Sequence, residues 1–326
     1  MAERALHFGV LGATSMVYRA VVADAIQATA GTAVVHEASS SAASPCVTGA
    51  RLSRSYEAVL ADPEVDVVYL PLPNHLHEEW VVLAAQAGKH VLCEKPLAMD
   101  ARAAARMAAA CADAGVVLLE AYMSPFHPRS VALQQAVARG DIGRVVNGEA
   151  RMSGVLPTDN HRWHVANGGG ALLDVGIYCL EPILDAIEWD GSPAASVAAS
   201  SVIRGDVDET TAALLTFADG RTASLWVSFA APDQQRLQLT GTAGAIEVDV
   251  RHATPDRRDS GYRRRALDGT VEVVPTGTGN CYEGMIAHVR DVISGAREPL
   301  RGPSRSVAVA RLLDQIAVAA AHPRTC

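Results

Sequence analysis

Five short apolar runs in the first 123 residues constrain this chain most: "LHFGVLG" (6–12), "TAVVHEAS" (32–39), "VDVVYLPLP" (65–73), "KHVLCEKP" (89–96) and "VVLLEAYM" (116–123). Between them lie segments of helical spacing, among them "YRAVVADAIQA", "HEEWVVLAAQAG" and the alanine-rich "DARAAARMAAACADAG". Strands so uniformly apolar are covered on both faces, and the intervening helices supply the cover. The pattern predicts a doubly wound parallel sheet. Ligands of such sheets bind beyond the carboxyl ends of the strands.

From about residue 124 the pattern changes. A helical stretch, "RSVALQQAVARG", leads into "GRVVNGEARMSG", and the turn "NGGG" (167–170) opens the helix "ALLDVGIYCLEPILDAI". Five β-like runs follow: "AASVAASSVI", "ETTAALLTFADG", "RTASLWVSFA", "RLQLTGTAGAIEVDV" and "YRRRALDGTVEVVP". "ADGR" and "GTAG" read as hairpin turns, which predicts a large, mostly antiparallel sheet. Two helices, near 282–295 and 303–321, complete the pattern. The expected fold class is α/β: an N-terminal Rossmann doubly wound parallel sheet over 1–123, then a C-terminal α+β domain over 124–326. The last helices are free to pack back on the first domain.

At 326 residues the chain has length for two domains, and about half of it is apolar. A net charge of −8 argues against nucleic acid or an anionic membrane surface as the main partner. "MAERALHFGVLGA" is too polar for a signal peptide, and Arg311, Asp314 and Gln315 interrupt the late apolar stretch "SVAVARLLDQIAVAAA". The cysteines at 46, 93, 111, 179, 281 and 326 show no CxxC spacing and fit reduced core thiols in a cytoplasmic protein. His75 and His77 lack a third ligand at suitable spacing, so no metal site is expected.

A glycine at the end of the first strand, opening a helix, is where a dinucleotide's pyrophosphate is held. Here that stretch is "GATSMV", which keeps Gly12 but places Thr14 and Val17 where a GxGxxG pattern has glycines; Gly12, Thr14, Ser15 and Met16 are the candidate contacts. An ordinary strand–helix turn is the competing reading. Glu37, near the end of the second strand, is at the distance where an acid accepts from ribose hydroxyls. In the alternative it faces solvent, while Ser39, Ser40 and Ser41 accommodate a 2′-phosphate. No arginine adjoins that strand end; Arg51 and Arg54 come later.

"CEKP" delivers Glu94 and Lys95 to the tip of a buried strand, on the same rim as Gly12, Ser39 and "PLPNHLH". A lysine there can donate to a carbonyl oxygen and stabilise the alkoxide formed on reduction. Partial desolvation would lower its pKa from about 10.4. Glu94 can steer the lysine or bond a carboxamide. The bland alternative is a solvated ion pair on a loop.

"GKHVLCEKPLA" resembles the signature of the Gfo/Idh/MocA oxidoreductase family, and the similarity extends through "GVLGA", "YEAVLADPEVDVVYLPLPNHLH", "EAYM..FHP" and "RW......GGGALLDVGIYCL". The resemblance implies a catalytic Lys95 whose bond to Pro96 is cis. It also implies a pair on one helix, Asp174 and Tyr178, spaced i, i+4 to face one spot. Tyr178, with a phenol near pKa 10 that Lys95 would depress, becomes the proton donor for carbonyl reduction, and Asp174 holds a substrate hydroxyl or orients the lysine. Pro73, Asn74, His77, Glu94 and Glu120 are implied on the cofactor side, and Arg162 and Trp163 near the substrate. His77 as a helix cap and a structural role for the 162–164 loop are the alternatives. The implied cofactor is NADP(H) or NAD(H), leaning to NADP(H). At the position of the serine–arginine pair associated with NADP, this chain reads Ser39-Ser40.

The implied activity is hydride transfer between nicotinamide and a ketone or secondary alcohol of a sugar-like substrate, with a sugar nucleotide and a 3-ketoreductase reaction as the leading candidate. Aldose or dihydrodiol dehydrogenation, a redox-neutral NAD-using lyase or glycosidase, and a cofactor-binding sensor are the alternatives. The run "RRDSGYRRR" (257–265) reads as a solvated hairpin, with a diphosphate clamp stacking a base on Tyr262 as the sharper option. Alternation in "RTASLWVSFA" gives the sheet an apolar outer face, and a homodimer or homotetramer is the expected partner state.

Overall fold

The computed structural model describes residues 4–41 and 44–321; Cys326 and the first three residues lie outside the described residues. The chain forms two compact units. One comprises the residues up to Tyr122 together with Tyr282–Val307, the other Met123–Cys281 and the chain from Ala308 onward.

The first unit holds six parallel strands: β1 (Leu6–Leu11), β2 (Thr32–Ala38), β3 (Arg51–Ser53), β4 (Val67–Leu70), β5 (His90–Glu94) and β6 (Leu118–Ala121), in the order β3-β2-β1-β4-β5-β6. Phe8, Val10, Leu11, Leu70 and Leu92 have no accessible surface, as strands covered on both faces require. Helices α1 (Ala23–Ala28), α2 (Tyr56–Leu60), α3 (His77–Gln86) and α4 (Ala101–Asp113) provide the cover. A Cβ at Gly9 would lie 2.4 Å from Val59 Cγ1, so β1 and α2 meet at glycine. Asp100 caps α4 by accepting from the Ala103 N–H at 2.7 Å, and α4 buries Ala101, Ala104, Met107 and Cys111 at helical spacing. β1 and β4 are neighbours although β2 and β3 intervene in sequence. The strand order therefore reverses there, and the chain just beyond β1 and β4 borders the switch-point crevice.

In the second unit, α5 (Pro128–Ala138) leads to β7 (Val145–Ser153), and α6 (Ala171–Ala186) is followed by β8 (Ser196–Arg204), β9 (Val207–Thr216), β10 (Thr222–Ser228), β11 (Gln234–Gly241), β12 (Gly244–Val248), β13 (Tyr262–Ala266) and β14 (Val271–Val274). The sheet order is β14-β13-β12-β11-β7-β10-β9-β8, antiparallel except between β7 and β10. α6 packs on β7, β9 and β10. Its distance from the sheet is set by Gly148 of β7, where a Cβ would lie 2.4 Å from Ile183 Cγ2. Two further helices, α7 (Cys281–Ile293) and α8 (Pro303–Ala321), close the chain. Among the described residues no helix is long and apolar enough to cross a membrane.

The five β-like runs contain seven strands, and the eighth, β7, falls in "GRVVNGEARMSG", where inward positions hold the small Gly148 and Ala150 between the exposed Glu149 and Arg151. The arginine-rich run is the solvated hairpin. Arg263 pairs with Glu247 (2.8 Å) and Asp249 (2.6 Å), Arg264 with Glu272 (2.7 Å) and Arg265 with Glu247 (3.1 Å), while Tyr262 is buried. Cross-strand carboxylates already occupy these guanidinium groups, and the buried ring has no face to stack on a base.

Candidate functional site

Gly12 has φ +106°, and a Cβ on it would lie 3.2 Å from Pro71 O and 3.0 Å from Leu72 Cδ2. Only glycine lets the β1 tip pass so close to the chain leaving β4. The Gly12 and Ala13 N–H groups both donate to Ala38 O at 2.9 Å, which ties this turn to the end of β2. Helix begins at Met16, immediately beyond; Thr14 and Met16 are exposed and Ser15 is partly so. A single π-helical turn, Tyr18–Val22, interrupts it and turns Tyr18 inward.

That inward turn decides the role of Glu37. The Tyr18 hydroxyl donates to Glu37 Oε1 at 2.5 Å, and the carboxylate also accepts from the N–H groups of Cys46 (2.6 Å) and Val47 (3.1 Å). Glu37 has no accessible surface, so it meets neither a ribose nor solvent, and both readings offered by its spacing are corrected. Burial and the adjacent carboxylate push the Tyr18 phenol pKa far up. The end of β2 is instead lined with hydroxyls. Ser39 Oγ, itself buried, lies 3.3 Å from Thr14 Oγ1 and 3.1 Å from Ser41 Oγ, and Ser40 is exposed. A glycine cradle, a helix N-terminus and hydroxyls, with the Glu37 carboxylate sealed inside, form a donor set that fits a phosphorylated dinucleotide.

The Lys95–Pro96 bond beyond β5 is cis. Three side chains hold this turn. Glu94 accepts from the hydroxyl of fully buried Tyr69 (2.8 Å) and from the Lys95 N–H (3.2 Å). Glu120, at the end of β6, accepts from the Leu97 N–H (2.8 Å) and the Ser306 hydroxyl (2.6 Å). His77 faces Leu72 O with Nε2 (2.9 Å), and Pro96 O and Leu97 O with Nδ1 (3.1 and 3.2 Å). Its ring has no accessible surface, so the structure gives it no face for a cofactor and makes it the link between the β4 and β5 loops. Burial outweighs the surrounding carbonyls and holds the His77 pKa below the ordinary histidine value. The ring is therefore neutral near pH 7 and donates from one nitrogen at a time. Pro73 and Asn74, just before α3, stay partly exposed on the rim, as does Lys95.

In the second unit the implied substrate residues gather at α6. The Gly170 N–H donates to Arg162 O (3.0 Å), and a Cβ on Gly169 would lie 2.2 Å from that oxygen. The glycines of "NGGG" therefore let the loop close on Arg162, whose Nε then lies 3.1 Å from the buried Asp174 carboxylate. Gly170 has no side chain to cap the helix, and Asp208 of β9 does so from a distance. Its Oδ2 accepts from the Leu172 N–H (2.8 Å) and the Thr211 hydroxyl (2.7 Å), and burial raises its pKa. One turn beyond Asp174, Tyr178 is buried with its hydroxyl 3.8 Å from Met123 Sδ. Its carbonyl oxygen accepts from His252 Nε2 at 3.2 Å. Burial pushes His252 down to about pKa 4, so it is a neutral donor.

Trp163 departs from the expectation of a substrate contact. It is buried, its indole N–H donates to Pro157 O (2.8 Å), the Arg204 guanidinium covers its ring at 4.4 Å, and Phe229 meets it edge-on. Tyr18, Tyr69, Asp208 and His252 were not legible as site residues, because each acts on a partner distant in sequence. Among the described residues no group of three or more His, Cys, Asp or Glu side chains is placed to hold a metal ion.

A parallel sheet with a glycine turn at its switch point is the dinucleotide-binding arrangement of a Rossmann protein. The chain belongs to the GFO/IDH/MocA family: residues 6–122 match its oxidoreductase domain with NAD-binding Rossmann fold, and residues 130–247 match its C-terminal domain. It is 33% identical to D-xylose 1-dehydrogenase (NADP(+)) 2 of Haloferax volcanii over 95% of both chains. It is 31% identical to dTDP-3,4-didehydro-2,6-dideoxy-alpha-D-glucose 3-reductase of Saccharopolyspora spinosa over 90% of this chain and 89% of that one. Among solved structures it is similar to a 3-ketoreductase from Actinomadura kijaniata in complex with NADP and TDP-benzene, with a TM-score of 0.87 and 26% identity over 97% and 98% of the two chains.

Proposed function

We propose that this oxidoreductase uses NADP(H) to interconvert a ketone and a secondary alcohol on a sugar-like substrate, a nucleotide-linked keto-sugar being the leading candidate. The bound nicotinamide supplies or accepts the hydride. Gly12, Thr14, Ser15, Met16, Ser39 and Ser40 hold the phosphate and ribose end, and Pro73 and Asn74 the nicotinamide side. Lys95 donates to the substrate carbonyl oxygen and stabilises the charge that develops there. The Tyr178 hydroxyl gives the proton that completes the alcohol and takes it back in the reverse direction. Asp174, oriented by Arg162, accepts from a neighbouring substrate hydroxyl.

One observation carries this reading: Glu94, His77 and Glu120 all direct their polar atoms at the turn bearing Lys95 and leave the lysine on the rim. Such convergence fixes the turn that carries Lys95, and this supports a role for the lysine's position. The relatives' printed activities, on xylose and on a dTDP-linked keto-sugar, support the substrate class. The test is turnover of NADPH with dTDP-linked keto-sugars and of NADP+ with aldoses. Activity on either names the direction and class; none on both sets, in protein that binds NADPH, defeats the substrate assignment.

On the outer face of the second sheet Ala198 lies opposite Leu214 and Ala212 opposite Trp226, beside Ser224 and Ser200, and Leu214 is exposed. This supports a homodimer formed through that face. Light scattering of Leu214→Glu should show monomer; a wild-type monomer contradicts it. The five described cysteines are free thiols, four of them buried, which supports a reducing, cytoplasmic setting.

A further inference from the structure

The end of β2 carries no cation in sequence, yet a 2′-phosphate there needs one. The short strand β3, too brief and too charged to read from sequence, changes what stands beside Ser39. It runs parallel to β2 with Ala38 opposite Ser53, and the Ser39 N–H donates to Ser53 O at 3.2 Å. The next residue, Arg54, is therefore carried to the carboxyl end of the sheet opposite Ser39, about one inter-strand spacing (~4.8 Å) away across the sheet. Arg54 is exposed and forms no ion pair among the described residues. Arg51, on the same strand, is already taken by Asp62 and Glu64.

We infer that Arg54 is the residue that selects NADP(H) over NAD(H), by pairing with the 2′-phosphate above the hydroxyls of Ser39, Ser40 and Thr14. The inference rests on the cofactor reading given above and deepens it. Two independent features converge on it. The acid that would repel a 2′-phosphate, Glu37, is sealed inside by Tyr18, Cys46 and Val47. The hydroxyl cluster at Ser39 then offers donors but no charge, which a guanidinium beside it supplies in the forked geometry phosphate favours. Arg19 also lies near this strand end, but its guanidinium donates to Ser44 O at 3.3 Å.

The test uses the full chain freed of retained nucleotide, titrated with NADPH and separately with NADH by the fluorescence of the reduced nicotinamide. Wild type should bind NADPH more tightly. Arg54→Ala should weaken NADPH by roughly tenfold to a hundredfold, the value of a charged hydrogen-bonding partner, while changing NADH by less than about twofold. Adenosine 2′-monophosphate should displace NADH from wild type at lower concentration than adenosine 5′-monophosphate, and lose that advantage in Arg54→Ala. An unchanged NADPH-to-NADH ratio in Arg54→Ala, loss of preference in Arg19→Ala instead, or equal binding of both nucleotides by wild type overturns the inference and leaves the cofactor reading standing. Binding of neither nucleotide by folded wild type overturns both.

Discussion

Asp208 lies far from any motif, yet the start of α6, and with it Asp174 and Tyr178, depends on its carboxylate. Replacing it with alanine removes the acceptor for the Leu172 N–H at a helix start whose own cap is Gly170. Loss of a cap costs about 0.5–2 kcal/mol, and stranding a buried donor adds about 1–3 kcal/mol. Thr211 keeps a second partner, Ser201 Oγ at 2.7 Å, so its loss adds little. The sum is about 1.5–5 kcal/mol, or roughly 3–20 °C in Tm for a unit of this size. Asp208→Asn retains an acceptor at the same place without a buried charge and should cost under about 1 kcal/mol. Burial raises the folded-state pKa of Asp208, so its titration contributes stability that is fully present below the unfolded value of about 3.9 and is lost as pH rises through the folded value. The gap between wild type and Asp208→Asn should therefore shift toward wild type on acidification. Calorimetry on both variants between neutral and mildly acid pH reads all three quantities. An Asp208→Ala loss below about 2 °C, or an Asn variant as damaged as the alanine one, refutes the capping argument.

Other consequences are as specific. His77→Ala removes the side chain joining the β4 and β5 loops, so kcat should fall at least tenfold through a misplaced Lys95 while the Michaelis constant for substrate moves less; an unchanged kcat in folded protein would show that the link is idle. Valine at Gly148 would drive Cβ and two methyl groups into Ile183, and overpacking of that kind costs about 1–3 kcal/mol, measurable as a lowered urea midpoint. Replacing Arg263 and Arg264 with alanine should leave the Michaelis constant for a nucleotide sugar within about twofold, because both guanidiniums already face carboxylates; a large increase would restore the diphosphate clamp.

The parallel sheet was legible because β1, β2, β4, β5 and β6 are apolar on both faces, and burial of that kind writes itself into local composition. β3 and β7 were not. β3 is three residues at an edge with two of them exposed, and β7 turns the small Gly148 and Ala150 inward where α6 presses on the sheet, so neither carries a marked apolar period. Lys95 stood out because a charge at the tip of a buried strand contradicts its surroundings. What surrounds it was hidden: Tyr69, His77 and Glu120 reach the turn from other elements, and spacing along one chain carries no trace of a hydrogen bond between strands. Glu37 misled for the same reason, since the π turn that brings Tyr18 onto it has no sequence period of its own. The arrangement at Arg54 follows only once β3 is in register with β2.

The central claim is that Lys95 serves the reacting oxygen and is not part of the scaffold. It is tested most directly by comparing wild type and Lys95→Ala in one preparation, following both NADPH binding and NADPH consumption with the best ketone substrate found. The account predicts that the variant binds NADPH within a few-fold of wild type and loses turnover by at least two orders of magnitude. Turnover within tenfold of wild type, or loss of NADPH binding together with unfolding, would contradict it.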